Sequence, residues 1–284
     1  MSDLRIETGP PVTDNSPLAS GYWADLTTTD FAALDPHKTV ALLPVAACEQ
    51  HGPHLPLSTD AIINAGVVDA ALQKMPADIT VLALPAQTIG DSIEHGNFAG
   101  TLSLEFDLLV NTWLSIGAAV RRAGLRKLII FNTHGGQRAH VDQAAIRLRA
   151  RCQLLVARVN AGALGMPADA FAPDEQRFGM HGGAIETSLI MHLAPHLVRP
   201  GHCADFVSAA QQMARDYQML GAEKPVGIGW MAEDLHPQGV TGNAATASAA
   251  KGAALLAHMA QQLVVVCREL AAAPAVAAPA ADQG

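Results

Sequence analysis

The apolar positions of this chain fall into short, β-branched runs that alternate with longer segments of helical spacing. Residues 39–45 (TVALLPV), 79–84 (ITVLAL), 127–131 (KLIIF) and 154–159 (LLVARV) have the length and branching of strands buried on both faces. Each leads, through a loop, into a stretch of helical type: 61–75, 104–123, 138–151 and 185–193. The alternation β-α-β-α-β-α-β-α predicts one α/β domain around a mostly parallel sheet. Two further helices are expected over 205–220 and 244–270, the second long, Ala-rich and closing the domain. The polar, Pro-bearing start predicts an arm over 1–22 and a single domain over 23–270, and the Ala/Pro end predicts a flexible tail over 271–284.

In an open parallel sheet, ligands bind outside the carboxyl ends of the strands, so chemistry is expected in the loops that follow each run. The loop after the first strand reads CEQHGPHLPLSTD. Glu49 and His51 occupy alternate positions, which project to one side in extended chain, and Asp60 stands where a helix begins, a favourable place for a carboxylate. Oxygen and imidazole donors without a thiolate suit Zn²⁺ or Mn²⁺. After the third strand comes NTHGGQ, where His134 is followed by Gly135 and Gly136, small enough for close backbone approach to a bound group. After the fourth comes MHGGAIETS, in which His181 and Glu186 would not share a face of a continuous helix, so the intervening glycines are expected to turn the chain and point both inward. The second strand is followed by SIEHGNFAGT, a polar loop whose His95 and Thr101 are candidate pocket residues. Each loop alone also reads as an ordinary polar turn. Four of them on one sheet edge, each bringing a His beside a Gly or an acid, fit a metal site better.

Composition narrows the class. Half of the 284 residues are apolar and 15% are charged, which excludes a disordered, collagen-like or coiled-coil chain. The formal charge of −8 leaves no basic footprint, so no nucleic-acid partner is expected. The four cysteines lie far apart without a CxxC pair, which points to a reduced, cytoplasmic protein. With no apolar leader-like segment and no long uninterrupted apolar run, neither signal peptide nor membrane span is expected. Aromatics make up only 4% of the chain while His numbers 12, so stacking surface is scarce and ligand or proton-transfer capacity plentiful. Phosphate-loop, dinucleotide-binding, nucleophile-elbow and HExxH patterns are absent from the sequence.

In order, PVAACEQHGPHLPLSTD, EHGNFAGTLSL, IIFNTHGGQ, HGGAIETS and DLHPQGVTGN resemble the creatininase (creatinine amidohydrolase) family over about residues 39–252. The resemblance implies a three-layer α/β/α fold, often hexameric, with two divalent ions, Zn²⁺ or Mn²⁺ with Fe²⁺ admissible, that hydrolyse C–N bonds of cyclic amides or related small polar substrates. Glu49, His51, Asp60 and His134 match the family's metal ligands, with Asp60 in the bridging place. Where creatininase proper carries a second-site Glu, this chain has Gly136, and Glu186 matches the acid that many relatives use instead. His181 matches the proposed proton donor to the leaving nitrogen, Glu186 is a second catalytic candidate, and His95, Thr101, Gly135 and Gly136 are substrate-side candidates, the glycine N–H groups facing a developing oxyanion. The family's tryptophan-lined pocket has no counterpart in residues 162–180, which offer Phe171 and Phe178 instead, so a substrate other than creatinine is expected. The alternatives are a cyclic keto-sugar of inosose type, a formamide, a short peptide, or a small-molecule-binding relative without turnover.

Overall fold

A computed structural model describes residues 18–274. Five strands form one parallel sheet in the order β1-β3-β2-β4-β5: β1 (Gly21–Tyr22), β2 (Thr39–Val45), β3 (Thr80–Ala83), β4 (Lys127–Asn132) and β5 (Leu155–Asn160). Every residue of β2 and β4 is buried, as a strand covered on both faces requires. Alternate side chains feed two separate cores. Val40, Leu42, Ile129 and Phe131 pack against α1 (Thr59–Leu72), α5 (Ala184–Leu193) and α8 (Ala249–Ala272). Ala41, Leu43, Val45, Leu128 and Ile130 pack against α2 (Phe106–Arg122) and α3 (Arg138–Cys152). The fold is therefore the expected three-layer α/β/α arrangement, and each buried Leu or Ile contributes about 1.5–3 kcal/mol to it.

Several boundaries move. The expected helix over 205–220 is shorter: residues Asp205–Phe206 pair antiparallel with Gly242–Asn243, and α6 (Ala209–Asp216) starts only after Ser208, whose Oγ accepts the Ala210 N–H. The last helix begins at Ala249, because Ser248 caps it through the Lys251 N–H, and runs to Ala272, past the start assigned to the tail. Of the arm expected over 1–22, residues 1–17 lie outside the described residues, as do 275–284 of the tail. Gly21 and Tyr22 instead add a short parallel edge strand to β3, with the Tyr22 hydroxyl bonded to Asp69. Helix α8 is long and apolar enough to cross a membrane by length and composition. It packs here as a core helix, burying Leu255, Met259, Leu263 and Cys267 within the α1–α5 layer.

The register places Val45 of β2 beside Asn132 of β4, and Asn132 beside Asn160 of β5, so the loops leaving these strands emerge at one edge. Asn64 of α1 fastens that edge by donating to the Val45 and Phe131 carbonyls at 3.0 and 3.2 Å.

Candidate metal centre

The four loops meet at that edge around a cavity of about 650 Å³ whose wall includes Glu49, Asp60, His134, His181 and Glu186. Asp60 comes from the first turn of α1 and is pinned from behind, its carbonyl accepting the Thr133 hydroxyl at 2.9 Å. His134 leaves β4 with its Nε2–H given to the Asp91 carbonyl at 2.8 Å, which turns Nδ1 toward Glu49 (3.2 Å) and Asp60 (3.5 Å). His51 is held in the opposite sense. Its Nδ1–H donates to the Glu49 carbonyl at 3.1 Å, leaving Nε2 to face Asp60 (3.5 Å) and Glu186 (3.7 Å). A second bond that fixes the tautomer and aims the other ring nitrogen is the usual support for a metal-ligating histidine.

Between His181 and Glu186 the backbone turns through Gly182, at φ +69°, a conformation that glycine adopts without penalty. The Gly182 N–H then donates to Glu186 Oε2 at 2.6 Å, so the acid points inward beside the histidine as the loop composition required.

Three sets of donor atoms could each hold an ion: Glu49, Asp60 and His134; His51, Asp60 and Glu186; and Glu49, His51 and His181. The first two share Asp60. Both oxygens of Glu49, Nε2 of His51 and Oδ2 of Asp60 are buried and lack a hydrogen-bond partner. Leaving such groups unsatisfied costs about 1–3 kcal/mol each, and more when charged, unless a ligand completes them. The donors and their placement therefore fit divalent cations.

The charges agree. Burial alone would depress His51, yet Asp60, Glu186 and Glu49 raise it to about 9. Burial opposes protonation of His134 as well, but Glu49, Asp60 and Glu94 raise it to about 10. Glu186 is pushed up to about 7, chiefly by burial, and Asp60 is raised by burial and by Glu49. The buried carboxylates thus draw positive charge into the site, here as protons. His181 differs: burial and the neighbouring His51 and His95 hold it well below the ordinary histidine value. Burial likewise brings His95 down to about 4.

Gln50 organises the wall opposite His134. Its carbonyl accepts from His181 Nε2 at 2.7 Å, and its side-chain amide donates to His95 Nδ1 at 2.8 Å and to the Gly239 carbonyl at 2.6 Å. His95, Gly135 and Gly136 line the cavity with the ligands. Thr101 does not reach it: its hydroxyl accepts the Gln50 N–H at 3.1 Å, so it supports the loop from behind. Phe171 is in the hydrophobic core and Phe178 faces an adjoining groove, so neither replaces an aromatic pocket wall. That wall is Trp230, whose indole N–H is held by the Ala222 carbonyl at 3.1 Å. No periodicity marks a single Trp in a Gly-rich loop, and the same holds for Glu94, which also lines the cavity. Behind His134, the Asp91 carboxylate pairs with His140 at 2.9 Å and accepts from Ser103 at 3.1 Å, which steadies the carbonyl that orients the ring.

A family model described as creatinine amidohydrolase matches residues 24–267. The mycofactocin precursor peptide peptidase of Mycobacterium ulcerans (strain Agy99) is 30% identical over 228 residues, covering 78% of this chain and 82% of that protein. Among solved structures, a manganese creatininase matches with a TM-score of 0.71 at 24% identity, over 88% of this chain and 98% of its own. A creatininase point mutant of Zn-Zn type matches at 0.69 and 23% identity, over 89% and 98%. At these identities the two structures bear on the fold.

Proposed function

The chain belongs to the creatininase family, and from that premise we propose that it is a hydrolase holding two divalent cations, Mn²⁺ or Zn²⁺, which cleaves an amide C–N bond in a short peptide or peptide-like substrate. The observation that carries the reading is the pair of donor sets sharing Asp60, in which both oxygens of Glu49, Nε2 of His51 and Oδ2 of Asp60 are buried without a hydrogen-bond partner. Glu49, Asp60 and His134 would hold one ion, and His51, Asp60 and Glu186 the other. Bound there, such ions supply a Lewis acid for the carbonyl and a lowered pKa for water.

The chain's own groups do the rest. The His181 Nε2–H is committed to the Gln50 carbonyl, so in the neutral ring Nδ1 carries the lone pair, 3.6 Å from Glu49 and facing the cavity. From there His181 can take a proton from the attacking water and deliver it to the leaving nitrogen as the C–N bond breaks. Gly135 and Gly136 bring backbone to the cavity wall without side chains, where their N–H groups are available to a developing oxyanion.

A peptide is preferred over a small ring on two grounds. The matching relative in Mycobacterium ulcerans is a peptide peptidase, and the cavity shares Arg138, Gln176, Met180 and Glu223 with a second groove of about 840 Å³, more room than a cyclic amide needs. The proposal extends to a homo-oligomer, since Tyr217, Met219, Leu220, Val226 and Ile228 crowd exposed apolar side chains into one segment, and to a reducing, cytoplasmic setting, which the four free cysteines suit. Light scattering reports the mass.

The test is to strip the protein with chelator, reconstitute it with Mn²⁺ or Zn²⁺, and screen short peptides, cyclic amides and formamides for hydrolysis. Restoration of peptide cleavage by either metal supports the reading. Activity unaffected by chelation, or confined to cyclic amides, removes it.

A further inference from the structure

Glu94 is a carboxylate of the cavity wall that the two ion-holding sets leave unused. It sits on a 3₁₀ turn, Ile93–His95, and its side chain is 14% exposed, facing the same space as Asp60 and Glu186. Its Oε1 lies 3.5 Å from Nε2 of His134, but that nitrogen already donates to the Asp91 carbonyl at 2.8 Å, so Glu94 is not what orients the ring. Among the described residues, the hydrogen-bond partner of its carboxylate is its own backbone N–H. The cation on the nearby wall, Arg138, is engaged by Glu223, so the positive group facing Glu94 is the His134 ring, which would give up its charge on ligating an ion.

The place Glu94 occupies exists because residue 136 is glycine. A Cβ at Gly136 would stand 2.7 Å from Glu94 Cδ and 2.7 Å from His134 Nε2, with the carboxylate oxygen nearer still. Any side chain at 136 therefore competes with the Glu94 carboxylate for one volume. The acid is folded over the histidine and presented to the cavity through the gap that the missing side chain leaves.

We propose that Glu94, seated over Gly136, anchors a cationic N–H group of the substrate, such as an α-ammonium, beside the bond to be cut. A carboxylate held in a cavity with its acceptor positions open recognises such a group by charge-assisted hydrogen bonds, which are shorter and stronger than neutral ones. The inference rests on the two-ion hydrolase reading but is separable from it: the enzyme could hold its ions and hydrolyse amides with no preference for a charged terminus.

The experiment compares binding of alanyl-alanine amide and its N-acetyl derivative to the manganese-reconstituted full chain by calorimetry, with ion content measured on every sample. Wild type is expected to bind the free amine at least about tenfold more tightly than the acetylated form. Glu94→Gln should lose that preference while keeping the wild-type ion content. Gly136→Ala should lose it too, because its methyl displaces the Glu94 carboxylate, and Glu94→Gln combined with Gly136→Ala should be no worse than Glu94→Gln alone. Equal binding of the two amides by wild type, a preference that survives Glu94→Gln, additive effects of the two changes, or loss of an ion in Glu94→Gln would each overturn the assignment. Failure of wild type to take up any ion would instead count against the hydrolase reading beneath it.

Discussion

Glu49 and Glu175 are both buried in this domain, at 1% and 7% exposure, and the fold treats them in opposite ways. Glu175, in α4 (Pro173–Phe178), accepts the Ala184 N–H at 2.6 Å and the Asn243 N–H at 2.7 Å, tying the start of α5 to the segment that runs beside it. Its charge is spent on backbone. Glu49 has no such donors: His134, His95 and His181 lie 3.2, 3.6 and 3.6 Å from its Oε1, and neither oxygen meets the geometry of a hydrogen bond. Burial alone would raise its carboxyl, yet those imidazoles hold it well below the usual range. A buried acid satisfied by amide N–H groups is part of the framework, whereas one surrounded by imidazole nitrogens with its lone pairs open is suited to ligate a cation.

The largest effect expected from this contrast is at Asp60, which belongs to both donor sets proposed to hold an ion. Asp60→Asn should remove both ions and all detectable hydrolysis, while Glu49→Gln should remove one ion. Metal analysis of the two purified variants decides it, and an Asp60→Asn protein that retains two ions breaks the contrast outright.

Next is Glu175→Gln, which weakens two charge-assisted bonds to buried backbone and should cost about 2–4 kcal/mol in urea unfolding. That loss should be the same with and without metal. The wild-type protein should itself gain about 2.7 kcal/mol when an ion is supplied at a hundred times its Kd, a gain that Glu49→Gln should diminish. If added metal erased the Glu175→Gln deficit, the framework role would be wrong.

A smaller effect is expected behind the site. Asp91→Ala or His140→Ala frees the carbonyl that aims His134, and should weaken ion affinity about 10–100-fold without changing the number bound at saturation. Equilibrium titration with a fluorescent chelator measures it.

The mildest test is proton release. In the metal-free protein His51 and His134 titrate at about 9 and about 10, so both are protonated at neutral pH and must lose a proton to ligate. Ion affinity should rise as pH climbs toward 9–10 and level off above, and calorimetry at neutral pH in buffers of differing ionisation enthalpy should show protons leaving. A pH-independent affinity would contradict these two ligands.

Much of this was readable from residue order. The runs 39–45, 79–84, 127–131 and 154–159 coincide with β2 to β5 to within a few residues, because strands buried on both faces need continuous apolar sequence. The family-like segments marked the loops that bring Glu49, His51, Asp60, His134 and Glu186 together. A helix over 205–220, drawn from apolar spacing, overshoots because Ser208 before Ala209 is a cap, the local signal that the helix starts late. Thr101 shares a polar loop with His95, which suggests a pocket residue, but its hydroxyl turns to the Gln50 backbone.

The sequence by itself determined the fold class and which acids and histidines gather at one edge of the sheet, since these follow from local periodicity and from side chains that immediately follow strands. Tertiary structure alone decided that His51 presents Nε2 and His134 presents Nδ1, that Trp230 rather than Phe178 forms the aromatic wall, and that Glu94 fills the space over Gly136. Each of those depends on partners far away in the chain: a ring is oriented by whichever carbonyl takes its other N–H, and a gap left by glycine matters only when another loop arrives to fill it.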